Sequence, residues 1–183
     1  MVYDACVLYP APLRDLLMWL ALTNLFRAKW SEKIHQEWIR NVLKNRPDLT
    51  LTQLNRTKQL MNQSVENALV TEYEYLIPNL TLPDPDDIHI LATAIHSQAD
   101  LIITFNLKDF PLSILKNYGI EAISPDDFIL ELIQMNESKV ITTVTQHRKS
   151  LKNPPLTVEK YLQNLTNQRL IQTANILRNI FSC

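Results

Sequence analysis

Four acidic side chains stand where a carboxylate could do chemistry. Asp4 lies in the apolar N-terminal run Val2-Tyr3-Asp4-Ala5-Cys6-Val7-Leu8, Glu37 beside an apolar helical stripe, Asp87 within Asp84-Pro85-Asp86-Asp87-Ile88-His89, and Asp109 just after Leu101-Ile102-Ile103-Thr104. Carboxylates at the ends of adjacent elements, set against an apolar sheet, are the raw material of a hard-cation site. In a parallel α/β sheet the carboxyl ends of the strands share one edge, so Asp4 and Asp109 can converge there. Glu37 and Asp87 join them if their helices pack beside that edge. Such a cluster repels itself unless a divalent cation neutralises it. Mg²⁺ or Mn²⁺ is the expected partner, because the donors are all oxygens and no His/Cys cluster has zinc spacing. A cation of this kind acidifies bound water and steadies a phosphate under attack, which makes phosphodiester hydrolysis the reaction best served.

Each acid also has a structural reading. Carboxylates at caps and strand ends are common, so Glu37, Asp87 and Asp109, taken singly, are at least as well explained that way. Asp4 is the exception, since an acid among Val2, Tyr3, Cys6 and Val7 gains little solvation. Asp84 and Asp86 read as first-turn acids of a helix, with either within reach of a metal through water. Arg40, one turn from Glu37, could orient that acid, meet a phosphate or form a plain helix ion pair. His89 and His96, seven residues apart, face roughly the same way and read as polar structural or surface residues. Cys6 reads as a small core residue, with no histidine placed to activate it. The basic residues Arg27, Lys29, Lys33, Lys44 and Arg46 read as a solvated face, with a phosphate-binding rim as the functional alternative.

The elements that must position these residues follow from periodicity and punctuation. A strand over Val2–Leu8 runs into Pro10 and Pro12, followed by a helix over about 13–22 and a short strand over Leu25–Trp30. Ser31 caps a helix through about Lys44, and Thr50 opens another to about Leu69. Residues 70–76 are ambiguous between helix end and strand. A helix follows from Pro85 to about Ser97, then a buried strand over Leu101–Thr104 of the kind covered on both faces. A helical turn over Ile114–Tyr118 is closed by Gly119, and Ile120–Ile123 is the next strand. This alternation predicts an α/β sandwich with a mostly parallel central sheet flanked by helices, in a domain over residues 1–127. Phe128–Met135, Ser138–Leu151 and Val158–Phe181 carry no convincing strand, with a break at Asn153-Pro154-Pro155 and a cap at Thr157. Residues 128–183 therefore form an α-helical C-terminal extension.

Composition narrows the function classes. The chain has 183 residues, 46% of them hydrophobic, which is enough for one substantial core. Its 18 basic and 19 acidic side chains leave a net charge near −1, so nucleic-acid binding needs a local basic patch or a metal. A single glycine, Gly119, rules out Gly-rich phosphate loops. Two cysteines, Cys6 and Cys183, make no disulfide framework, and a reducing cytoplasm is the expected location. No apolar run approaches the roughly 18 residues of a membrane span, so no membrane association is expected.

Four ordered motifs resemble those of PIN-domain proteins, most closely the VapC-type toxins of bacterial toxin–antitoxin pairs. They are Tyr3-Asp4-Ala5-Cys6-Val7-Leu8-Tyr9-Pro10, Trp30-Ser31 with Ile34 and Glu37, Asp84-Pro85-Asp86-Asp87-Ile88-His89-Ile90-Leu91-Ala92, and Thr104-Phe105-Asn106-Leu107-Lys108-Asp109-Phe110-Pro111. The tail resembles the helical extension of one branch of these toxins. The resemblance implies a Mg²⁺-dependent endoribonuclease, commonly a homodimer, acting on RNA and neutralised by a cognate antitoxin. Asp4, Glu37 and Asp87 match the three core acids of the family. The fourth position is shared between Asp109, the acid before Phe, and Asn106, a polar residue that lines the same pocket. Three rivals stand beside this reading: a haloacid-dehalogenase-like phosphatase, weakened because Cys6 stands where its second Asp belongs; a non-catalytic binding scaffold; and an RNA-processing nuclease of the same fold.

Overall fold

The computed structural model describes residues 1–181, so Cys183 lies outside the described residues. Contacts divide the chain into two units: residues 1–9 with 27–124, and residues 10–26 with 125–183.

The first unit is built on parallel strands. Strand β1 (Val2–Tyr3) pairs with β4 (Leu101–Ile103), and β4 with β5 (Glu121–Ile123). Strands β2 (Trp30–Ser31) and β3 (Leu69–Val70) form a second parallel pair. A Val2–Lys29 bridge, with the Tyr3 N–H on the Lys29 carbonyl at 3.0 Å, carries the pairing across from β1 to β2. The chain therefore progresses outward from β1 in both directions, and the carboxyl ends of β1 and β4 flank the point where strand order reverses, where open parallel sheets hold ligands. Val2, Tyr3, Ile102 and Ile103 are wholly buried, as expected for strands covered on both faces.

The N-terminal strand is shorter than its apolar run suggests. It ends at Tyr3 because Asp4 turns the chain: its carboxylate accepts from the Cys6 N–H at 3.2 Å and caps a one-turn helix, α1 (Ala5–Leu8). Helix α3 (Glu32–Asn45) starts where expected, with the Ser31 hydroxyl accepting from the Ile34 N–H. Helix α4 (Leu51–Ser64) starts on a reciprocal capping box between Thr50 and Gln53 and stops five residues before its expected end. The ambiguous stretch resolves into β3 and a 3₁₀ segment over Glu74–Asn79. A 3₁₀ turn (Pro85–Asp87) leads into α5 (Ile88–His96), and α6 (Leu112–Leu115) leads to a second turn closed by Gly119 at φ 68°.

A polar network inside this unit ties α3, α4 and β2 together. The Trp38 indole donates to His35 Nδ1 at 3.0 Å, which leaves the proton on His35 Nε2 to face Asn62 Oδ1 at 3.0 Å. The same oxygen accepts from the Trp30 indole at 2.7 Å.

The second unit contains helices α2 (Ala11–Ala21), α7 (Pro125–Ser150), α8 (Val158–Asn167) and α9 (Ile171–Phe181). Helix α7 kinks at Asn136, whose backbone leaves helical space and whose side chain accepts from the Lys139 N–H at 3.1 Å, capping the second half. The expected single stretch from Val158 onward breaks at Arg169, at φ 65°. Asp126 caps α9 from a distant position, its carboxylate accepting from the Gln172 and Thr173 N–H groups at 2.9 Å each. His147 is buried between Asp15 (3.0 Å) and the Tyr161 hydroxyl (2.8 Å). No helix among the described residues is long and apolar enough to cross a membrane.

Asn62→Ala strips one acceptor from two donors, Trp30 Nε1 and His35 Nε2. A donor left unsatisfied costs about 1–3 kcal/mol, so urea unfolding of this variant should show a loss of about 2–4 kcal/mol. A loss under about 0.5 kcal/mol would mean that the network is replaced by water.

Candidate metal centre

Asp4 is 3% exposed and is held at the β1–β4 edge by three donors. The Thr104 hydroxyl donates to Oδ2 at 2.6 Å, the Cys6 thiol to the same oxygen at 3.0 Å, and the Cys6 N–H to Oδ1 at 3.2 Å. The β1–β4 register makes this possible: Tyr3 pairs with Ile103, so residues 4 and 104 emerge side by side. Burial, then the charge of Asp4, pushes the Cys6 thiol far above its ordinary range, which keeps it a neutral donor. Thr104 is itself placed by the Asn106 N–H, which donates to its Oγ1 at 2.9 Å.

Asp84, Asp87 and Asp109 each offer a carboxylate oxygen, and these lie within 4.8 Å of one another. Asp87 arrives at the junction of its 3₁₀ turn with α5, and Asp109 ends the turn Leu107–Asp109 after β4. Asp84 is oriented by the Asp86 N–H, which donates to its Oδ1 at 2.9 Å. The Asp87 carboxyl is pushed up to about 7, by burial first and then by the charges of Asp4, Asp84 and Asp109, with His89 opposing. Asp4 thus belongs electrostatically to the same cluster.

Glu37 has a different neighbourhood. Its Oε1 lies 2.9 Å from His89 Nε2 and 3.9 Å from Lys33 Nζ. His89 is 6% exposed, so the imidazole contact is the desolvated one, while Lys33 points into solvent and contributes little. The Tyr73 phenol is also buried here; burial chiefly raises it, with side-chain hydrogen bonds to Ser31 and Thr93 opposing and the charges of Glu74 and Glu37 adding.

Of the expected acids, Asp87 and Asp109 converge together with Asp84, Asp4 acts on Asp87 through its charge, and Glu37 stands outside that cluster beside His89. Asp84, read from the sequence as a helix-start acid, is in the carboxylate cluster, whereas Asp86 is exposed and contributes its N–H to Asp84. Asn106 is exposed and acts through its backbone on Thr104. Arg40 is exposed in an open groove between α3 and α4 with Ile39, Leu43, Leu51 and Lys58. Sequence reasoning missed Thr104 and the donor role of Cys6, and it paired His89 with His96. His96 is exposed against the Tyr75 ring, while His89 is buried.

The donor set suits a hard cation: every candidate ligand atom is a carboxylate oxygen, and burial, then the neighbouring acid charges, raise Asp87. The shift has a thermodynamic sign. The folded state favours the uncharged form of Asp87, so its contribution to stability is present below the ordinary carboxylate pKa near 4 and is lost as pH rises through about 7. Without divalent cation, Asp87→Asn should therefore melt above the parent by a few degrees at pH 8, with the gap shrinking toward pH 5. About 2–4 °C corresponds to 1 kcal/mol for a chain of this size. A melting difference that is flat between pH 5 and 8 would show that Asp87 is unperturbed.

Residues 1–108 match the family model described as PIN domain, and residues 125–179 match the one described as VapC50 C-terminal domain. The Mycobacterium tuberculosis (strain ATCC 25618 / H37Rv) protein "Putative ribonuclease VapC50" is 37% identical over 82 residues, which is 45% of this chain and 48% of that protein. The aligned part thus spans about half the length of that relative. No solved structure matches the chain significantly. With its parallel sheet, its carboxylates at the strand-order reversal and more than half of its length under the first match, the chain belongs to the PIN domain family and carries a C-terminal region of the VapC50 type.

Proposed function

We propose that the chain is a metal-dependent endoribonuclease that hydrolyses RNA phosphodiester bonds and is the toxin of a type II toxin–antitoxin pair. The single observation that carries the catalytic part is the cluster of Asp84, Asp87 and Asp109 carboxylates beside Asp4, in which burial first, and then the charges of Asp4, Asp84 and Asp109, raise the Asp87 carboxyl to about 7. Family membership and the name of the Mycobacterium tuberculosis relative support ribonuclease chemistry. The C-terminal match supports the toxin role; a cognate antitoxin, a cytoplasmic site of action and a homodimer belong to the same proposal.

In this reading Asp4, Glu37, Asp87 and Asp109 hold Mg²⁺ or Mn²⁺, with Asp84 as an additional acid of the cluster. When bound, such a cation neutralises the carboxylates, acidifies water and stabilises charge on the phosphate under attack. The protein does the rest. Thr104 and Cys6 fix the Asp4 oxygens so that no reorganisation is needed when the substrate arrives. With a net charge near −1 and an acidic centre, attraction for RNA falls to the bound cation and to basic residues away from the cluster.

Asp4→Asn and Asp87→Asn should each reduce Mg²⁺-dependent cleavage of single-stranded RNA by at least about 100-fold, since the lost stabilisation is worth several kcal/mol. Both should remain folded by circular dichroism. Cleavage at the parental rate by either variant would remove that residue from the site. Expression of the parent alone should slow bacterial growth, while the acid variants should not; equal growth with active RNA cleavage would favour the RNA-processing reading, and metal binding without any cleavage the scaffold.

A further inference from the structure

Both ring nitrogens of His89 are buried and lack a hydrogen-bond partner among the described residues, although Nε2 lies only 2.9 Å from Glu37 Oε1. The distance is right for a hydrogen bond and the N–H direction is not. A buried imidazole without partners is costly, and no structural need of α5 requires one at a position flanked by Ile88, Ile90 and Leu91. Polar contacts of catalytic groups are often misaligned in an unloaded site and tighten when it fills. Among the described residues, the acidic group within ion-pair distance of the ring is Glu37, which is itself 14% exposed at its side chain. Lys33, its other neighbour, sits at 3.9 Å and is half in solvent, so it cannot fix the carboxylate.

We infer that His89 is the positioning residue of Glu37: its Nε2–H holds Oε1, leaving Oε2 for the cation. This rests on the metal-site reading above. Helix α5 then delivers two functions from neighbouring positions, a ligand at Asp87 and an orienting imidazole at His89. Through that imidazole the Glu37 carboxylate on α3 is aligned with the cluster at the β1–β4 edge. Outer partners of this kind set the direction and basicity of a ligand, and their loss commonly weakens metal binding 10- to 100-fold.

The test is Mn²⁺ affinity of the full chain, read by electron paramagnetic resonance or calorimetry, for His89→Ala, His89→Gln, His89→Asn, Glu37→Gln and the His89→Ala/Glu37→Gln double variant. His89→Ala should bind Mn²⁺ about tenfold more weakly than the parent. His89→Gln, whose amide nitrogen reaches the place of Nε2, should recover to within about threefold, whereas the shorter His89→Asn should not. In the Glu37→Gln background the His89→Ala change should have no further effect, because the two act as one unit. Parental affinity in His89→Ala, equal loss in the Gln and Asn variants, or additive losses in the double variant would each overturn the inference while leaving the metal site standing. A parent that binds Mn²⁺ no better than Asp87→Asn would instead overturn the metal site itself, and this inference with it. Melting temperatures separate unfolding from loss of positioning: a His89→Ala protein that melts like the parent yet binds Mn²⁺ weakly supports it, and one whose affinity falls only in proportion to its unfolded fraction overturns it.

Discussion

The hydrogen bond from Thr104 to Asp4, 2.6 Å long and spanning a hundred residues of sequence, joins the first strand of the sheet to its neighbour at the place where strand order reverses. Much of the first unit depends on it. A carboxylate 3% exposed, with two other acids acting with it on the common neighbour Asp87, is tolerable only if its oxygens are satisfied, and three donors do this. One of those donors also ends the strand. The Cys6 N–H closes a turn on Asp4 and commits Ala5–Leu8 to a helix, although Val7 and Leu8 would suit a strand. The same carboxylate therefore sets the site and the local fold.

The acids of the cluster come from three separate segments, and their proximity opposes folding. The fold tolerates this because the burden is uneven. Asp4 is buried but fully engaged by donors, Asp84 is exposed and screened, and Asp87 absorbs the strain by holding its proton to about pH 7. Such an arrangement trades stability for a site ready to receive positive charge, a common bargain at functional centres. His89 moderates it, its charge acting on Asp87 in the opposite direction.

What could be read from the sequence was what is decided locally. Ser31, Thr50 with Gln53, Thr157 and Gly119 terminate helices through bonds to residues three or four away, and they stand where their residue types imply. The apolar run at Leu101–Ile103 is a strand because burial on both faces leaves no room for alternation. The partners of the acids were not legible, because they are set by register and packing. Thr104 meets Asp4 only through the β1–β4 pairing, and a seven-residue spacing could not say that His89 lies under protein while His96 meets solvent. Asp84 looked like one of several helix-start acids, and only the turn at Pro85 folds it toward Asp109. Arg40, three residues after Glu37 on α3, lines an open groove with residues of α4.

The helical unit shows the same dependence on distant contacts. Helix α9 takes its N-terminal cap from Asp126, some 46 residues earlier, and His147 on α7 is wired to Asp15 on α2, 132 residues before it. Leu16, Leu17 and Leu20 of α2 are wholly buried in a unit whose remaining helices all lie beyond residue 124. The region matching the VapC50 C-terminal domain begins at residue 125 and so omits α2, which supplies part of this unit's apolar core. A chain that leaves the sheet at Pro10 and returns at Arg27 ties the two units covalently at three places instead of one.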